Sequence, residues 1–176
     1  MVELALLMAI VLSGQFETAD VGAGGRLSWR PNSVLGVEAE VTVYPSDFPA
    51  SRPFSRGRVE GLFGVTAGPT LGRVRPFAKL RPGFVTIRQT PEPFPCILIY
   101  PPPIACALVS GRTLAAIDAG GGVHIAVSSR TFIRADAGDR MVRYPGPVIQ
   151  MEPRRVRERS FVDHDVRFSL GAGVQF

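Results

Sequence analysis

Strict two-residue alternation of apolar side chains is the feature that most constrains what this sequence can fold into. In its last ten residues, RFSLGAGVQF, an apolar residue occupies every even position from Phe168 to Phe176. Successive side chains of a β-strand point to opposite faces, so this spacing gathers the apolar side chains on one face. Six further segments repeat the pattern and carry charged residues on the second face. This combination favours a closed β-barrel with lipid outside and a polar interior.

The length and composition are those of a single β-rich domain. The 176 residues correspond to one domain spanning 1–176, and 45% of them are hydrophobic. The longest uncharged apolar run, Leu4–Leu12, is too short for a transmembrane helix, which needs roughly 20 residues. The 19 glycines and 16 prolines disfavour a helical protein.

Positive charge comes almost entirely from arginine, because Lys79 is the only lysine among 20 basic residues. The formal net charge of +5 suggests anionic partners. The arginines are spread along the chain and do not cluster as they would in a nucleic-acid-binding helix. We therefore expect no nucleic-acid partner.

Turn residues divide most of the chain into seven alternating segments. Short connections alternate strictly with long ones: 31–33, 69–72 and 128–130 are short, whereas 45–56, 89–111 and 145–160 are long. An antiparallel meander that crosses a bilayer has this arrangement, with tight periplasmic turns and long outer loops. The predicted strands are Asp20–Arg30, Val34–Tyr44, Gly57–Gly68, Arg73–Arg88, Arg112–Val127, Thr131–Tyr144 and Phe161–Phe176.

The N-terminal segment Met1–Leu12 decides the strand count, because single-chain bacterial barrels have an even number of strands. As a strand it would offer its even-numbered residues to lipid and turn Glu3 and the other odd-numbered residues inward. The alternative is the apolar core of a signal peptide, but Glu3 stands where a basic region is expected, and no small-x-small cleavage site lies near Ser13. The strand interpretation is favoured and predicts an eight-stranded antiparallel up-and-down transmembrane β-barrel. An export signal would then lie upstream or have been removed.

Alternation also selects the residues that face the barrel interior. Enclosed opposite charges can pair, which offsets their desolvation, whereas an arginine or lysine facing lipid near the midplane would cost about 2–4 kcal/mol. Side chains can fill an eight-stranded barrel, so we expect a plugged, salt-bridged core, and the alternative is a narrow or gated pore. The predicted interior charge network comprises Arg26, Glu38, Glu40, Glu60, Lys79, Arg81, Asp118, Arg134, Asp136, Arg140 and Arg167, with His124 also inward.

Aromatic and cysteine residues add two further expectations. Aromatic residues near strand ends are typical of the girdles at membrane interfaces, and here they are Trp29, Tyr44, Tyr100, Tyr144 and Phe176. Cys96 and Cys106 lie close together in one proline-rich loop, which predicts a disulfide formed in an oxidising compartment. The alternative is a pair of buried free thiols.

Several segments carry a family resemblance. GGRLSWRP, LGVEAEVTVYP, FAKLRPGF, IDAGGGVHIAVSSRTFIRADAGDRMVRY and the terminal FSLGAGVQF resemble the eight-stranded outer-membrane β-barrel domains of the OmpA-like superfamily, over about Val21 to Phe176. The resemblance implies a location in the bacterial outer membrane with a periplasmic C-terminus. It also implies insertion by the barrel assembly machinery, with Phe176 as part of the C-terminal insertion signal.

Neither histidine belongs to a recognisable catalytic constellation. A lipid A deacylase-like site needs a serine two residues from a lipid-facing histidine, but Ala126 holds that position after His124. His164 lies between Asp163 and Asp165, and neighbouring residues of one strand face opposite sides and cannot converge. We interpret His164 as a polar residue near the outer rim of the last strand. We expect no enzymatic activity, no cofactor and no metal.

The long loops are more distinctive than the histidines. They place arginines at the rim where lipopolysaccharide phosphates lie, and arginine can bind phosphate through two parallel hydrogen bonds. The predicted lipopolysaccharide contacts are Arg52, Arg56, Arg58, Arg154, Arg155, Arg157 and Arg159. The alternative is that these loops are merely solvated. The hydrophobic, proline-rich loop around Tyr100 could present a surface to a protein partner or seal the barrel mouth.

These observations favour a non-enzymatic outer-membrane barrel with a structural or surface-interaction role and outer-membrane lipids and lipopolysaccharide as partners. The alternative function is a narrow porin-like channel for small solutes. Two soluble folds are less compatible with the pattern. A lipocalin-like barrel would invert the two faces, and a β-sandwich would need polar outer faces on several strands.

Overall fold

The computed structural model describes residues 1–13, 19–47, 56–87, 112–145, 148–151, 154–157 and 159–176. Within these residues no helix is long and apolar enough to cross a membrane. The described secondary structure consists of ten strands: β1 Val2–Ser13, β2 Ala19–Trp29, β3 Leu35–Asp47, β4 Arg56–Ala67, β5 Val74–Ile87, β6 Arg112–Ala126, β7 Thr131–Tyr144, β8 Val148–Met151, β9 Arg154–Arg157 and β10 Phe161–Gln175.

Eight of these strands form one closed antiparallel barrel, in the order β1-β10-β7-β6-β5-β4-β3-β2. Each barrel strand pairs with its neighbours in sequence, and β1 closes the ring by pairing with both β2 and β10. The closing ladder runs from Glu3 opposite Gln175 to Ser13 opposite Asp165. Backbone hydrogen bonds between Val2 and Phe176 extend it to the end of the chain. Closure leaves no unpaired sheet edge.

The short connections and the two chain ends lie at one end of the barrel, which we call the turn end; the other is the loop end. Side chains and glycine shape these turns. The Asn32 side chain accepts hydrogen bonds from the amides of Val34 (2.9 Å) and Leu35 (2.7 Å). Gly72 has φ = 63°, a conformation that glycine adopts at little cost.

The structure confirms the predicted fold, an eight-stranded antiparallel up-and-down barrel. Observed strand bounds lie within three residues of the predicted ones, the largest difference being the end of β3 at Asp47. Residues 2–13 form a barrel strand, as the favoured interpretation of the N-terminal segment required. The sequence did not predict β8 and β9, which pair as a separate two-stranded hairpin.

The outer surface is apolar on every barrel strand. Exposed fractions reach 79% for Leu6 on β1, 60% for Phe63 on β4 and 60% for Leu170 on β10. The intervening residues of the same strands are buried inside, as the alternating burial of β10 shows most clearly. A water-soluble barrel would hide such side chains, because exposing them to water is unfavourable.

Inward-facing glycines allow neighbouring strands and bulky side chains to approach closely. At Gly83 a Cβ atom would collide with the carbonyl group of Gly61 and lie 2.9 Å from the Cα of Leu62 on β4. At Gly22 it would lie 2.6 Å from the ring of Tyr44. Glycine is therefore required at these positions unless the neighbouring backbone or ring moves.

Candidate functional site

The barrel interior is the most distinctive site of the molecule. All eleven charged residues predicted to face inward lie inside the barrel, with exposed fractions of 5% or less. They come from seven of the eight barrel strands, because the two-residue alternation of each strand presents one charged face to the axis. Acidic and basic groups thus meet in a space that solvent barely reaches.

Arg81 on β5 is the centre of this network. Its guanidinium donates to Glu40 (2.7 Å) and to Glu38 (3.2 Å), both on β3. On its other side Nε donates to Asp118 of β6 at 3.0 Å. Lys79, two residues earlier on the same face, pairs with Asp118 (3.0 Å) and with Asp136. Pairing of this kind is what makes buried charges tolerable.

An ion pair crosses the full width of the barrel near the turn end. Arg134 on β7 donates to both carboxylate oxygens of Glu38 on β3, at 2.6 and 3.1 Å. Three strands separate β7 from β3 in either direction around the ring. The same guanidinium stacks over the ring of Phe77 at 4.1 Å. Side chains from opposite walls therefore meet at this level.

A second layer of ion pairs lies nearer the loop end. Arg140 pairs with Glu60 at 2.8 Å and with Asp165. Arg167 lies 3.1 Å from the second carboxylate oxygen of Glu60 and also pairs with Glu40. Glu40 accepts from Arg26 as well (2.7 Å), which links this layer to the central one.

Several interior charges were missed by the sequence analysis. Asp20 pairs with Arg58 at 3.1 Å, and Asp163, Asp165 and Arg75 are also buried. Each has the same odd or even numbering as a predicted interior residue on its strand, so extending the alternation to the strand ends would have found them. His124 lies inside as predicted, stacked on Phe132 at 4.5 Å and 3.4 Å from Glu3.

The interior is not polar throughout, contrary to the expectation from its charged face. Towards the loop end, an apolar cluster fills the space between β5, β6, β7 and β10. The rings of Tyr144 and Phe161 stack within it at 5.3 Å. The cluster comprises Val85, Ile87, Leu114, Ala116, Val142, Tyr144 and Phe161.

The predicted aromatic girdles need correction. Tyr44 (0% exposed) and Tyr144 (3% exposed) face the interior, so they cannot contact lipid. Tyr44 packs on Gly22, and the guanidinium of Arg58 lies 4.4 Å from its ring. Trp29 and Phe176 are exposed on the outer surface at the turn end, with fractions of 54% and 80%. Tyr100 lies outside the described residues.

The predicted lipopolysaccharide contacts fall in different places. Arg58 is 5% exposed and pairs with Asp20 inside the barrel, so its predicted position on the outer rim is wrong. Arg159 is exposed beside the start of β10. Arg56 belongs to β4, and Arg154, Arg155 and Arg157 belong to β9 of the hairpin. Arg52 and the predicted disulfide partners Cys96 and Cys106 lie outside the described residues.

On β7 and β10, the apolar band of the outer surface ends at polar side chains near the loop end. Ten residues separate Phe176 from Val166, which corresponds to about 25 Å along the barrel axis for strands tilted by about 40°. At that level Asp139, 47% exposed, bonds to the Nδ1 atom of His164 at 2.9 Å, and His164 is 61% exposed. The height matches the apolar band of a membrane barrel.

A closed eight-stranded barrel with an apolar outer band and an ion-paired interior defines the class of small transmembrane β-barrels. Solved structures of this class share the fold. The match to the N-terminal β-barrel domain of Pseudomonas aeruginosa OprF has a TM-score of 0.54 at 10% identity, over 99% of this chain and 97% of that chain. Neisserial surface protein A (NspA) matches with a TM-score of 0.58 at 15% identity, over 99% and 97%.

A third match is Ail, the attachment invasion locus protein of Yersinia pestis, with a TM-score of 0.46 at 14% identity, over 99% of this chain and 96% of that chain. The OprF domain and NspA are eight-stranded outer-membrane β-barrels, which confirms the predicted resemblance at the level of the fold. No protein-family model and no curated protein matches the sequence.

Proposed function

We propose that this protein is a non-enzymatic barrel of the bacterial outer membrane with a structural or surface-interaction role. The observation that carries the proposal is the separation of side chains by the barrel wall: Leu6, Phe63 and Leu170 are exposed, while Arg81 and its carboxylate partners are enclosed. Acyl chains are the environment that suits such an exterior. The shared fold of the OprF domain and NspA supports this assignment.

The only tryptophan of the chain offers a direct test. Trp29 is 54% exposed on the outer surface at the turn end, where the apolar band begins. Aromatic side chains of membrane barrels lie at the interface. In vesicles of brominated lipids, we expect its fluorescence to be quenched more by bromine near the headgroup than by bromine near the bilayer centre. A chain that stays monodisperse without amphiphile, with unquenched Trp29, would refute the membrane assignment.

The orientation follows from the same proposal. The loop end would face outward and the termini would face the periplasm, with Phe176 contributing to recognition by the barrel assembly machinery. Phe176 is suited to this role because its side chain is 80% exposed while its backbone pairs with Val2. Replacing Phe176 by Ala should lower the amount of assembled barrel in cells and leave refolding in detergent unchanged. Equal assembly of both chains would count against the signal.

Contact with lipopolysaccharide is the surface interaction that we propose for the loop end. The sequence concentrates arginines there. The four-residue strand β9, which pairs with β8, contains three of them: Arg154, Arg155 and Arg157. Arginine suits the phosphates of lipopolysaccharide because its donors are arranged as a fork. Replacing Arg154, Arg155, Arg157 and Arg159 with Ser should reduce co-purified lipopolysaccharide. An unchanged amount would contradict this contact.

A further inference from the structure

The turn end of the barrel carries positive charge that no acidic side chain balances. Its exposed cations are Arg73, in the turn between β4 and β5, and Arg130, in the turn between β6 and β7. The single carboxylate side chain among the described residues of this end, Glu3, is 3% exposed and pairs with Arg30. Arg73 and Arg130 therefore have no carboxylate partner in the described part of the chain. The described residues of the turn end are 1–3, 28–36, 66–76, 124–132 and 174–176.

Backbone hydrogen bonds hold the two arginines on adjoining turns. The carbonyl oxygen of Arg73 accepts from the amide of Ala126, the last residue of β6, at 2.8 Å. Arg130 lies four residues after Ala126, and its carbonyl oxygen accepts from the amide of Gln175 on β10 at 2.9 Å. The Ser128 hydroxyl accepts from the Arg130 amide at 3.1 Å, which shapes this turn. The segments around Arg73, Arg130 and the end of β10 therefore lie side by side.

Exposed apolar side chains accompany the two charges. Leu71, two residues before Arg73, is 63% exposed, and Val127, directly after β6, is 54% exposed. Phe176, directly after Gln175, is 80% exposed. Such side chains are unfavourable in water. Arginines beside exposed apolar residues are typical of a segment at a lipid–water interface, where the stem contacts acyl chains and the guanidinium reaches the headgroups.

The chemistry of the two kinds of side chain fits one ligand. A surface of positive charge without carboxylates attracts anionic groups. A phosphodiester accepts hydrogen bonds from guanidinium groups such as those of Arg73 and Arg130. The acyl chains of the same molecule offer Leu71 and Phe176 an apolar environment. An anionic glycerophospholipid supplies both parts.

We infer that the turn-end surface, made of Leu71, Arg73, Val127, Arg130 and Phe176, binds the headgroups of anionic glycerophospholipids, with phosphatidylglycerol as the probe. The inference rests on the proposed function, which turns this end towards the periplasm and so places it in the inner leaflet. It differs from the proposed lipopolysaccharide contacts, because those lie at the opposite end of the barrel.

Native mass spectrometry of the full chain in a neutral detergent, titrated with phosphatidylglycerol, tests the surface. The double variant Arg73→Gln with Arg130→Gln should weaken binding by about tenfold, because each arginine near a membrane surface attracts anionic headgroups. The matched control, Arg143→Gln with Arg159→Gln, removes two exposed arginines from the loop end and should bind as the unmodified chain does. Equal phosphatidylglycerol binding by the two double variants would overturn the inference.

The charge and the headgroup need their own measurements. The variant Arg73→Lys with Arg130→Lys keeps both charges and should retain most of the binding. Phosphatidylcholine, whose headgroup has no net charge, should bind the unmodified chain more weakly than phosphatidylglycerol and should not distinguish the variants. Phosphatidylcholine bound as tightly as phosphatidylglycerol would overturn the assignment to an anionic headgroup.

Two results separate this inference from the proposed function. If Trp29 is quenched as proposed but the Gln variant of Arg73 and Arg130 binds phosphatidylglycerol like the unmodified chain, only the turn-end surface is wrong. If that variant instead loses co-purified lipopolysaccharide, the proposed orientation of the barrel is wrong, and this inference fails with it.

Discussion

Arg81 shows how the interior charges depend on one another. Its side chain has no exposed surface, and it shares its donors among carboxylates of β3 and β6. Buried ion pairs give little net stability compared with a well-packed apolar core, but removing one partner leaves a charge stranded in a medium of low polarity. The network is therefore sensitive to single substitutions, even though it is a weak source of stability as a whole.

Replacing Arg81 by Ala should destabilise the barrel by about 3–5 kcal/mol, because Asp118 would lose its closest cationic partner and Glu40 would lose one of the arginines that pair with it. Urea unfolding in lipid vesicles, followed by Trp29 fluorescence, measures the change. Arg130→Ala at the exposed turn removes the same charge and should change the free energy of unfolding by less than about 0.5 kcal/mol. Similar midpoints for both variants would show that the interior network is hydrated and loosely coupled.

The sequence predicts whether a single residue faces the interior or the lipid, but it does not predict that residue's ion-pair partners. Alternation already gives Tyr44 the same face as Glu40, and Arg58 the same face as Glu60, so both inward positions were present in the pattern. Expectations based on nearness to a strand end placed them outside. The pairing of Arg134 with Glu38 is a different matter, because it depends on the stagger of strands around the ring, which alternation does not contain.

At the scale of the element, glycines without a Cβ atom allow β4 and β5 to lie close together. Gly61 and Gly83 belong to these strands, and the outward Gly61 lies under the ring of Phe84, where a Cβ would be 2.6 Å from the nearest ring carbon. The ladder is also interrupted between the pairs Leu62–Gly83 and Val65–Leu80. Pro82 lies in this gap and lacks the amide needed to donate to a ladder.

Gly83→Ala should therefore destabilise the barrel by about 1–3 kcal/mol, because the new methyl group would push β4 away from β5. Gly25→Ala is the matched control: at Gly25 the nearest atom to a new Cβ is the Ala5 carbonyl oxygen, at 3.8 Å. That variant should be as stable as the unmodified chain or slightly more so. The midpoints of urea unfolding in vesicles measure both effects. A Gly83→Ala variant as stable as the unmodified chain would mean that β4 and β5 can move apart without cost.

The elements differed in how well they could be predicted. Long strands such as β10 have many alternating positions, so their existence and faces were clear from the sequence. The hairpin of β8 and β9 has four residues in each strand, with Pro147 before it and Pro153 between its strands in the sequence, so the alternation is too short to recognise. It belongs to the predicted long connection 145–160 and changes no part of the barrel topology.

On the scale of the whole molecule, side chains meet across the interior in successive layers. Arg134 and Glu38 meet across the barrel near the turn end, and Arg81 joins β3 to β6 above them. Beyond the ion pairs of Arg140, the apolar cluster around Tyr144 fills the loop end. An eight-stranded barrel has room for little else. The arrangement favours the plugged core over the narrow channel that the sequence left as an alternative.

The refolded chain should therefore show no stable openings in planar-bilayer recordings. Replacing both Arg134 and Glu38 with Ser removes the transverse pair and leaves neither charge alone, so the barrel should still fold. This variant should also be silent, because the layers around Arg81 and Tyr144 remain closed. Stable openings in the unmodified chain would establish the channel. Openings seen only in the double variant would show that the Arg134–Glu38 pair is the barrier to ions. They would also show that the layers around Arg81 and Tyr144 let ions pass.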